Sequence, residues 1–215
     1  MKSILYLVFL LFLIFGHAQD PIRFKDQVDE ISKKYDTLLD PSKENIVFTG
    51  SSSVRIWHDL QNRFPEYQIV NSGFGGSQAS DLLFYSDDLI LRYKPKKVFI
   101  YEGDNDINGK KRPNGIIATT QQIIDNIRKS DSNTEIVLIS AKPSIARWKL
   151  KRKYKRLNRK FKRLARKDGL LEYADVWKPM LDGRKVKQDI FIEDGLHMNA
   201  KGYEIWFGVM KEYLR

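Results

Sequence analysis

Short apolar runs alternate along the chain with longer segments whose apolar residues recur at helical spacing. Four runs have the length and composition of buried strands and a fifth is weaker: 46–48, 68–71, 98–101, 136–139 and 171–176. The segments at about 78–93, 115–130, 147–167 and 199–214 have the periodicity of helices. Because strands that alternate with helices indicate βαβ units, we predict an α/β fold. We expect a three-layer α/β/α sandwich around a central parallel sheet of about five strands.

The first 44 residues differ in composition from the rest of the chain. Lys2 is followed by 12 almost wholly apolar residues and then by Gly16-His17-Ala18, a pattern typical of a cleavable secretory signal peptide. We predict the signal peptide at residues 1–18. An uncleaved anchor is the alternative, although a spanning helix needs about 20 apolar residues. Apolar residues between 28 and 39 recur at helical spacing, so we expect a helical lead-in at 19–44 and a single domain at 45–215.

The chain contains no cysteine. Disulfides, thiolate metal sites, a cysteine nucleophile and a lipid anchor on an N-terminal cysteine are therefore excluded. No stretch after the predicted signal peptide is long and apolar enough to span a bilayer. We expect a secreted or periplasmic protein that is not transmembrane once processed and that is stabilised by its core alone.

The net charge of +11 arises from one segment. Residues 147–167 contain 13 Lys and Arg and no acid, whereas the rest of the chain has 25 basic and 27 acidic residues. Apolar residues in this segment recur at three- and four-residue steps, so we expect one helix face in the core and a cationic face outside. The cationic face is a solvated surface or, alternatively, a contact for acidic polysaccharide, lipopolysaccharide or anionic lipid. We expect no specific nucleic-acid binding, because no recognition module is present.

Polar and glycine residues follow four of the predicted strands. They are Gly-Ser-Ser-Ser at 50–53, Asn-Ser-Gly-Phe-Gly-Gly at 71–76, Gly-Asp-Asn at 103–105 and Ser-Ala-Lys-Pro at 140–143. The carboxyl ends of parallel strands meet at one edge of a sheet, and open α/β sheets bind their ligands there. We therefore expect a functional site at this edge.

Histidine is the scarcest residue type with acid–base chemistry near neutral pH. Beyond the predicted signal peptide only His58 and His197 remain. Asp194 precedes His197 by three residues, so a tight turn can bring its carboxylate to the imidazole ring, as in a catalytic triad. A local turn with a surface histidine is the alternative.

The serines at 51–53 are candidate nucleophiles, because they follow a predicted buried strand and precede a predicted helix start. Spacing does not choose among Ser51, Ser52 and Ser53, and a helix cap is the alternative. Asn105 could donate a hydrogen bond to an oxyanion or belong to a turn. The glycines at 73–76 match neither common nucleotide-binding pattern, and no histidine spacing supports a metal site. We expect no cofactor and no metal.

Taken together, the blocks at 47–53, 71–76, 103–105 and 194–197 resemble the four sequence blocks of the SGNH hydrolases, also called the GDSL esterase and lipase family. The likeness extends from about residue 45 to residue 214, and it looks closest to the platelet-activating-factor acetylhydrolase-like subgroup. This resemblance implies a flavodoxin-like SGNH hydrolase fold. It also implies an enzyme that hydrolyses carboxylic esters with a serine nucleophile.

The resemblance further implies the roles of individual residues. Ser52 matches the nucleophile, His197 the general base and Asp194 the partner of that base. The amides of Ser52 and Gly76 and the side chain of Asn105 match the family's oxyanion hole.

An exported esterase that removes small acyl groups, acetyl in particular, from carbohydrate is the function we expect from the resemblance and the predicted signal peptide. A lipid-ester or thioester hydrolase is one alternative, and a non-catalytic module that binds an anionic glycan is another. Candidate substrate contacts are Ser51, which stands where the family has an aspartate, and Lys142, Arg147 and Trp148 near the end of the fourth predicted strand.

Overall fold

The computed structural model describes residues 20–214, and the predicted signal peptide at 1–18 lies outside these residues. Five strands form its main sheet: Asn45–Gly50 (β1), Gln68–Gly73 (β2), Lys97–Tyr101 (β3), Glu135–Ile139 (β4) and Leu171–Ala174 (β5). All neighbouring strands are parallel, in the order β2-β1-β3-β4-β5. The predicted parallel sheet of five strands is therefore confirmed.

Helices cover both faces of this sheet. In chain order they are Lys25–Leu38 (α1), Ser52–Arg55 (α2), Leu60–Arg63 (α3), Ala79–Phe84 (α4), Ser86–Leu89 (α5), Asp104–Asn108 (α6), Pro113–Ser130 (α7), Lys151–Ala165 (α8) and Ala200–Met210 (α9). Buried side chains of α1, α4, α5, α7 and α8 pack on one face, and those of α2, α3 and α9 pack on the other. This arrangement confirms the three-layer sandwich.

Successive residues of a strand enter different halves of the core, because their side chains point to opposite faces of the sheet. In β1, Val47 packs in the half covered by α1, and Phe48 packs in the half covered by α9. The Phe48 ring stacks on Phe99 of β3 with 4.1 Å between ring centroids. Since both faces are covered by helices, the strands appear in the sequence as continuous apolar runs.

Some elements differ from the sequence prediction. The helix expected at 78–93 is divided into α4, α5 and a short 3₁₀ turn at Leu91–Tyr93, because the backbones of Tyr85 (φ −99°, ψ 20°) and Ile90 (φ −131°, ψ −66°) are not helical. The helix expected to begin near Val54 is the single turn α2. A small antiparallel hairpin, Leu181–Asp182 (β6) and Lys185–Val186 (β7), was not predicted, since two-residue strands have no periodic pattern.

The strand order places the candidate residues together. β1 lies between β2 and β3, so the chain changes direction across the sheet at this point. Such switch points form the ligand-binding crevice of open α/β sheets, at the carboxyl ends of the strands. The segments that follow β1, β2 and β3 contain the candidate serines, the candidate glycine loop and Asn105, respectively.

None of the helices described between residues 20 and 214 has the length and apolarity needed to cross a membrane.

Candidate active site

Ser52 is the first residue of α2 and follows β1 after a sharp turn. Gly50 has a φ of +123°, and a Cβ at this position would lie 2.1 Å from the carbonyl oxygen of Tyr101. Only glycine fits this conformation next to the neighbouring strand. The turn therefore ends β1 abruptly and leaves Ser52 half-buried at the edge of the sheet.

His197 contacts both Ser52 and Asp194. Its Nε2 atom lies 2.9 Å from Ser52 Oγ, and its Nδ1 atom is hydrogen-bonded to Asp194 Oδ2. A carboxylate can only accept, so Nδ1 carries the proton and Nε2 is free to accept one from the serine hydroxyl. The structure thus brings Ser52 into contact with a histidine that lies 145 positions later in the sequence. This is the arrangement that activates a serine for nucleophilic attack.

Asp194 is held in its charged form by the turn that contains it. Partial burial opposes ionisation, but the amides of Leu196 and His197 donate to Asp194 Oδ1 at 2.8 and 2.9 Å, and the imidazole donates to Oδ2. Together these hydrogen bonds lower the pKa of Asp194 below its usual value. A carboxylate that stays ionised can orient the ring and stabilise an imidazolium.

Lys142 stabilises the turn that contains Asp194 and His197. The side chain is 1% exposed, and its Nζ donates to the carbonyl oxygen of Leu196 at 2.6 Å. Burial lowers the pKa of Lys142, although Asp104, 3.9 Å away, offsets part of this effect. Lys142 does not line the cavity beside Ser52, so the structure places this candidate substrate contact in a supporting position.

Asn105 and Gly76 face Ser52 from the ends of the two neighbouring strands. Asn105 Nδ2 donates to Ser51 Oγ at 2.7 Å and to the carbonyl oxygen of Ser77 at 2.8 Å. Gly76 adopts a φ of +83°, a conformation that favours glycine. The amides of Gly76 and Ser52 donate to no other group within residues 20–214. The residues that carry these three donors, Ser52, Gly76 and Asn105, line the same cavity.

A buried ionic network holds the side chain of Asn105 in place. Arg147 donates to Asn105 Oδ1 at 3.0 Å and to Asp104 Oδ1 at 2.7 Å, and Tyr154 donates to the same Asp104 oxygen at 2.6 Å. Although burial opposes ionisation, Lys142 and Arg147 lower the pKa of Asp104. Asp104 thus connects Arg147, Tyr154 and Lys142 at the base of the site. Residues 20–214 contain no acid and histidine cluster suited to a metal ion.

An open cavity of about 350 Å³ lies over these groups. It contains two arginines, no carboxylate and a single aliphatic side chain, Leu196; its lining residues are Gln27, Ser52, Arg55, Gly75, Gly76, Asn105, Arg147, Leu196 and His197. A larger hollow of about 820 Å³ lies near Asn45 and Glu135, at the opposite ends of the strands. Because that hollow contains neither the serine nor the histidine, the smaller cavity is the candidate site.

Sequence reasoning identified some of the cavity's residues and missed others. Arg147 lines it, whereas Ser51 is buried against Asn105, and Trp148 is stacked on Trp177 with 6.1 Å between centroids. Gln27 of α1 was not anticipated, and its Oε1 accepts from the amide of Gly75 at 3.0 Å. Arg55 was also missed, although its position three residues after Ser52 would place both on one face of a helix.

Comparison with known proteins identifies the family. A model of the GDSL-like lipase/acylhydrolase family matches residues 42–205. The chain belongs to this family. This match confirms the resemblance seen in the sequence, and it supports an ester hydrolase. No curated protein matches the chain by sequence.

Solved structures share the fold. A protein from Streptococcus pneumonia, provisionally described as a platelet activating factor, is 26% identical with a TM-score of 0.78, covering 90% of this chain and 95% of its own. A GDSL-like lipase from Bacteroides thetaiotaomicron is 18% identical with a TM-score of 0.71, covering 91% and 97%. A variant of an acetyl-xylooligosaccharide esterase from Geobacillus Stearmophilus is 18% identical with a TM-score of 0.64, covering 79% and 93%.

Proposed function

We propose that this protein is an exported serine esterase that removes small acyl groups, acetyl in particular, from carbohydrate. The observation that carries the proposal is the hydrogen-bonded series from Ser52 through His197 to Asp194, in a chain of the GDSL-like lipase/acylhydrolase family. Export rests on the signal peptide predicted at 1–18, and a secreted or periplasmic location follows from it.

The first half of the reaction acylates the serine. Ser52 Oγ attacks the ester carbonyl carbon while its proton passes to His197 Nε2, 2.9 Å away. Asp194 stabilises the resulting imidazolium, because it stays ionised beside Nδ1. The tetrahedral intermediate then collapses, the alcohol leaves with the proton from His197, and the acyl group remains on Ser52.

The amides of Ser52 and Gly76 and the side chain of Asn105 form the oxyanion hole in this mechanism. The two amides have no other acceptor within residues 20–214 and are available to the oxyanion. Asn105 Nδ2 already donates to Ser51 Oγ and Ser77 O, so an oxyanion would replace Ser51 as acceptor. Preorganised donors of this kind stabilise the charge that develops in the transition state.

The second half of the reaction releases the acid. A water molecule takes the position that the alcohol has left, His197 removes its proton, and the hydroxide attacks the acyl-enzyme. The same three donors hold the second oxyanion. Its collapse breaks the bond to Ser52 Oγ and returns the proton to the serine.

The shape of the cavity supports a small acyl group and a polar alcohol. A long acyl chain requires an apolar channel, and Leu196 is the one aliphatic side chain that lines the cavity. The remaining side chains are amides, arginines, a serine and a histidine, which suit hydroxyl groups of a sugar. A structural neighbour with the same fold, the acetyl-xylooligosaccharide esterase, acts on an acetylated sugar.

Hydrolysis of p-nitrophenyl acetate tests the esterase. We expect activity in the purified protein and a loss of at least about 10⁴-fold in kcat for Ser52→Ala. Ser132→Ala, at an exposed loop position before the amino end of β4, is the matched control and should retain wild-type kcat. Equal activity of wild type and Ser52→Ala, with both folded, would reject the serine mechanism.

A series of nitrophenyl esters with increasing acyl length tests the substrate class. We expect kcat/KM to be highest for acetate and to fall as the chain lengthens, because the cavity offers no apolar channel. Release of acetate from acetylated oligosaccharides then tests the carbohydrate portion. A rise in kcat/KM with acyl length would instead favour a lipid-ester hydrolase, and absence of all hydrolysis would favour a glycan-binding module.

A further inference from the structure

Arg55 is a charged side chain in the cavity that the proposed mechanism does not use. It lies three residues after Ser52 in the single turn α2, so both side chains lie on the same side of the helix. A Cβ on Gly75 would lie 2.8 Å from Arg55 Nε and 3.3 Å from Nη2. The guanidinium group therefore lies across Gly75, next to the peptide that supplies the Gly76 amide.

No acid neutralises Arg55. Arg55 forms no ion pair with any Asp or Glu of residues 20–214, and it is exposed to solvent at the cavity. This contrasts with Arg63, which pairs with Asp59 and Glu204. An arginine that faces a cavity with all its donors free is available to a ligand.

The rest of the cavity adds to the positive potential. Arg147 also lines it, and its partner Asp104 is shared with the buried Lys142, at 2.7 and 3.9 Å. One carboxylate therefore faces two cations. No carboxylate lines the cavity itself, and Asp194 lies on the far side of the imidazole ring. The field at Ser52 favours an anion.

We propose that Arg55 binds a carboxylate or phosphate group on the alcohol portion of the ester, so that the substrates are acyl esters of acidic sugars. The inference rests on the proposed esterase function and names its substrate class. A guanidinium group presents a planar fork of donors that matches both anions. Arg147 contributes charge but is already held by Asp104 and Asn105, so Arg55 is the residue that determines specificity.

Three matched substrates separate the charge from the rest of the sugar: acetylated glucose, acetylated glucuronate and acetylated glucose 6-phosphate. In the wild type we expect a higher kcat/KM for at least one anionic ester than for the neutral one. The better of the two anionic esters identifies the group that Arg55 receives. The preference should decrease as salt is added, because the arginine is exposed and its field is screened.

Substitution of the arginine then tests the assignment. We expect Arg55→Glu to lower the ratio of kcat/KM for the anionic and neutral esters at least about tenfold, and Arg55→Lys to lower it less. The control is Arg184→Glu, which makes the same change of net charge at an exposed hairpin position outside the cavity and should leave the ratio unchanged. A wild type without preference for the anionic esters, or equal losses for both esters in Arg55→Glu, would overturn the inference.

A binding measurement keeps this test separate from the proposed hydrolysis. Ser52→Ala retains Arg55 and cannot form an acyl-enzyme, so titration calorimetry with glucuronate, glucose 6-phosphate and glucose reports the anion site alone. We expect an acidic sugar to bind more tightly than glucose, and Arg55→Glu in the Ser52→Ala background to remove the difference. Equal affinities would reject the anion site even if the protein were an active esterase. A preference lost on substitution would support it even if hydrolysis failed.

Discussion

Glu102 is a buried acid next to the proposed oxyanion donors, where it contacts Ser77. The side chain is 2% exposed, Oε1 accepts from Ser77 Oγ at 2.6 Å, and Oε2 has no hydrogen-bond partner in the described part of the chain. Burial and the nearby carboxyl groups of Asp106, Asp81 and Asp104 raise the pKa of Glu102 well above its usual value. The residue is therefore protonated in the folded protein at pH values where an exposed glutamate is ionised.

This protonation makes stability depend on pH. Above the pKa of about 4.3 for glutamate in the unfolded chain, the unfolded state releases a proton that the folded state keeps. The contribution of Glu102 to the free energy of unfolding is thus fully present below that pH. It is lost at up to about 1.4 kcal/mol per pH unit as the pH rises towards the raised pKa of the folded state.

Glu102→Gln should remove this dependence, because glutamine has the same shape and does not titrate. We expect the wild type to lose stability relative to Glu102→Gln as the pH rises through this range. Urea unfolding of both proteins at a series of pH values measures the difference. Parallel stability curves would show that Glu102 does not keep its proton in the folded state.

Asn105 is the side chain whose loss should affect the transition state most selectively. Its Nδ2 lies at the junction of Ser51, Ser77 and the cavity, and Arg147 fixes its Oδ1. We expect Asn105→Ala to lower kcat for p-nitrophenyl acetate by about 10²–10³, as for other oxyanion donors. Asn108→Ala, an exposed asparagine on the same helix, is the control. An effect confined to KM would argue against an oxyanion role.

The turn that contains Asp194 and His197 depends on a contact between elements. It precedes α9, and the residue that supports it, Lys142, follows β4. The Lys142 ammonium group joins the Leu196 carbonyl oxygen to Asp104, so it links the turn to the network beneath Asn105. One buried cation therefore connects the turn that contains His197 to the network that holds Asn105.

Lys142→Met removes the charge and keeps an unbranched side chain that is one heavy atom shorter. We expect a loss of about 1–3 kcal/mol in stability, because the partly buried Leu196 carbonyl loses its donor. We also expect a lower kcat from a displaced His197. Lys201→Met is the control, since Lys201 pairs with Asp189 on the exposed surface, where an ion pair contributes little to stability. Thermal unfolding and p-nitrophenyl acetate hydrolysis measure both effects. An unchanged kcat in a less stable protein would show that Lys142 has no positioning role.

The elements that the sequence predicted well are those with a regular apolar pattern. All five strands and the helices α7, α8 and α9 lie where apolar runs or helical periodicity indicated them. The pattern failed at 78–93, where buried residues continue through the non-helical backbones of Tyr85 and Ile90, and at the two-residue strands β6 and β7. Periodicity reports which residues are buried, and it does not show where a helix of buried residues breaks.

The candidate site could be predicted to a similar extent. Ser52, Asn105 and His197 follow from their places in the sequence blocks, and their meeting follows from the parallel sheet. The burial of Lys142 could not be predicted, because lysine is almost never fully buried without partners from distant segments. Gln27 could not be found either, since its contact with Gly75 joins positions 48 residues apart without a motif.

At the scale of the whole molecule, charge is concentrated on α8 and the residues just after it. Nine exposed cations lie between residues 151 and 167, and none of them forms an ion pair within residues 20–214: Arg152, Lys153, Lys155, Arg156, Arg159, Lys162, Arg163, Arg166 and Lys167. Tyr154, Leu157 and Phe161 are buried in the core, so the helix is amphipathic as predicted. A neighbouring hollow of about 550 Å³ adds Lys110, Lys111 and Arg112 to this surface.

The composition of this surface favours a soluble polyanion over a membrane. Peripheral helices bind lipid with apolar side chains that enter the bilayer as well as with cations. No large apolar side chain between residues 151 and 167 is exposed. An acidic polysaccharide requires charge alone, and it is also the polymer that would contain the acidic sugars proposed for Arg55.

We therefore expect the protein to bind polygalacturonate, and more strongly than vesicles of anionic lipid. Binding should weaken steeply with salt, because the screening length falls from about 10 Å at 0.1 M to about 3 Å at 1 M. Replacing Arg152, Arg156, Arg159 and Arg163 by glutamate should abolish it, while p-nitrophenyl acetate hydrolysis is retained, since none of the four lines the cavity. Fluorescence anisotropy with labelled polysaccharide measures the salt dependence and the loss of binding. Salt-independent binding, or binding that survives the four substitutions, would show that the cationic face is only a solvated surface.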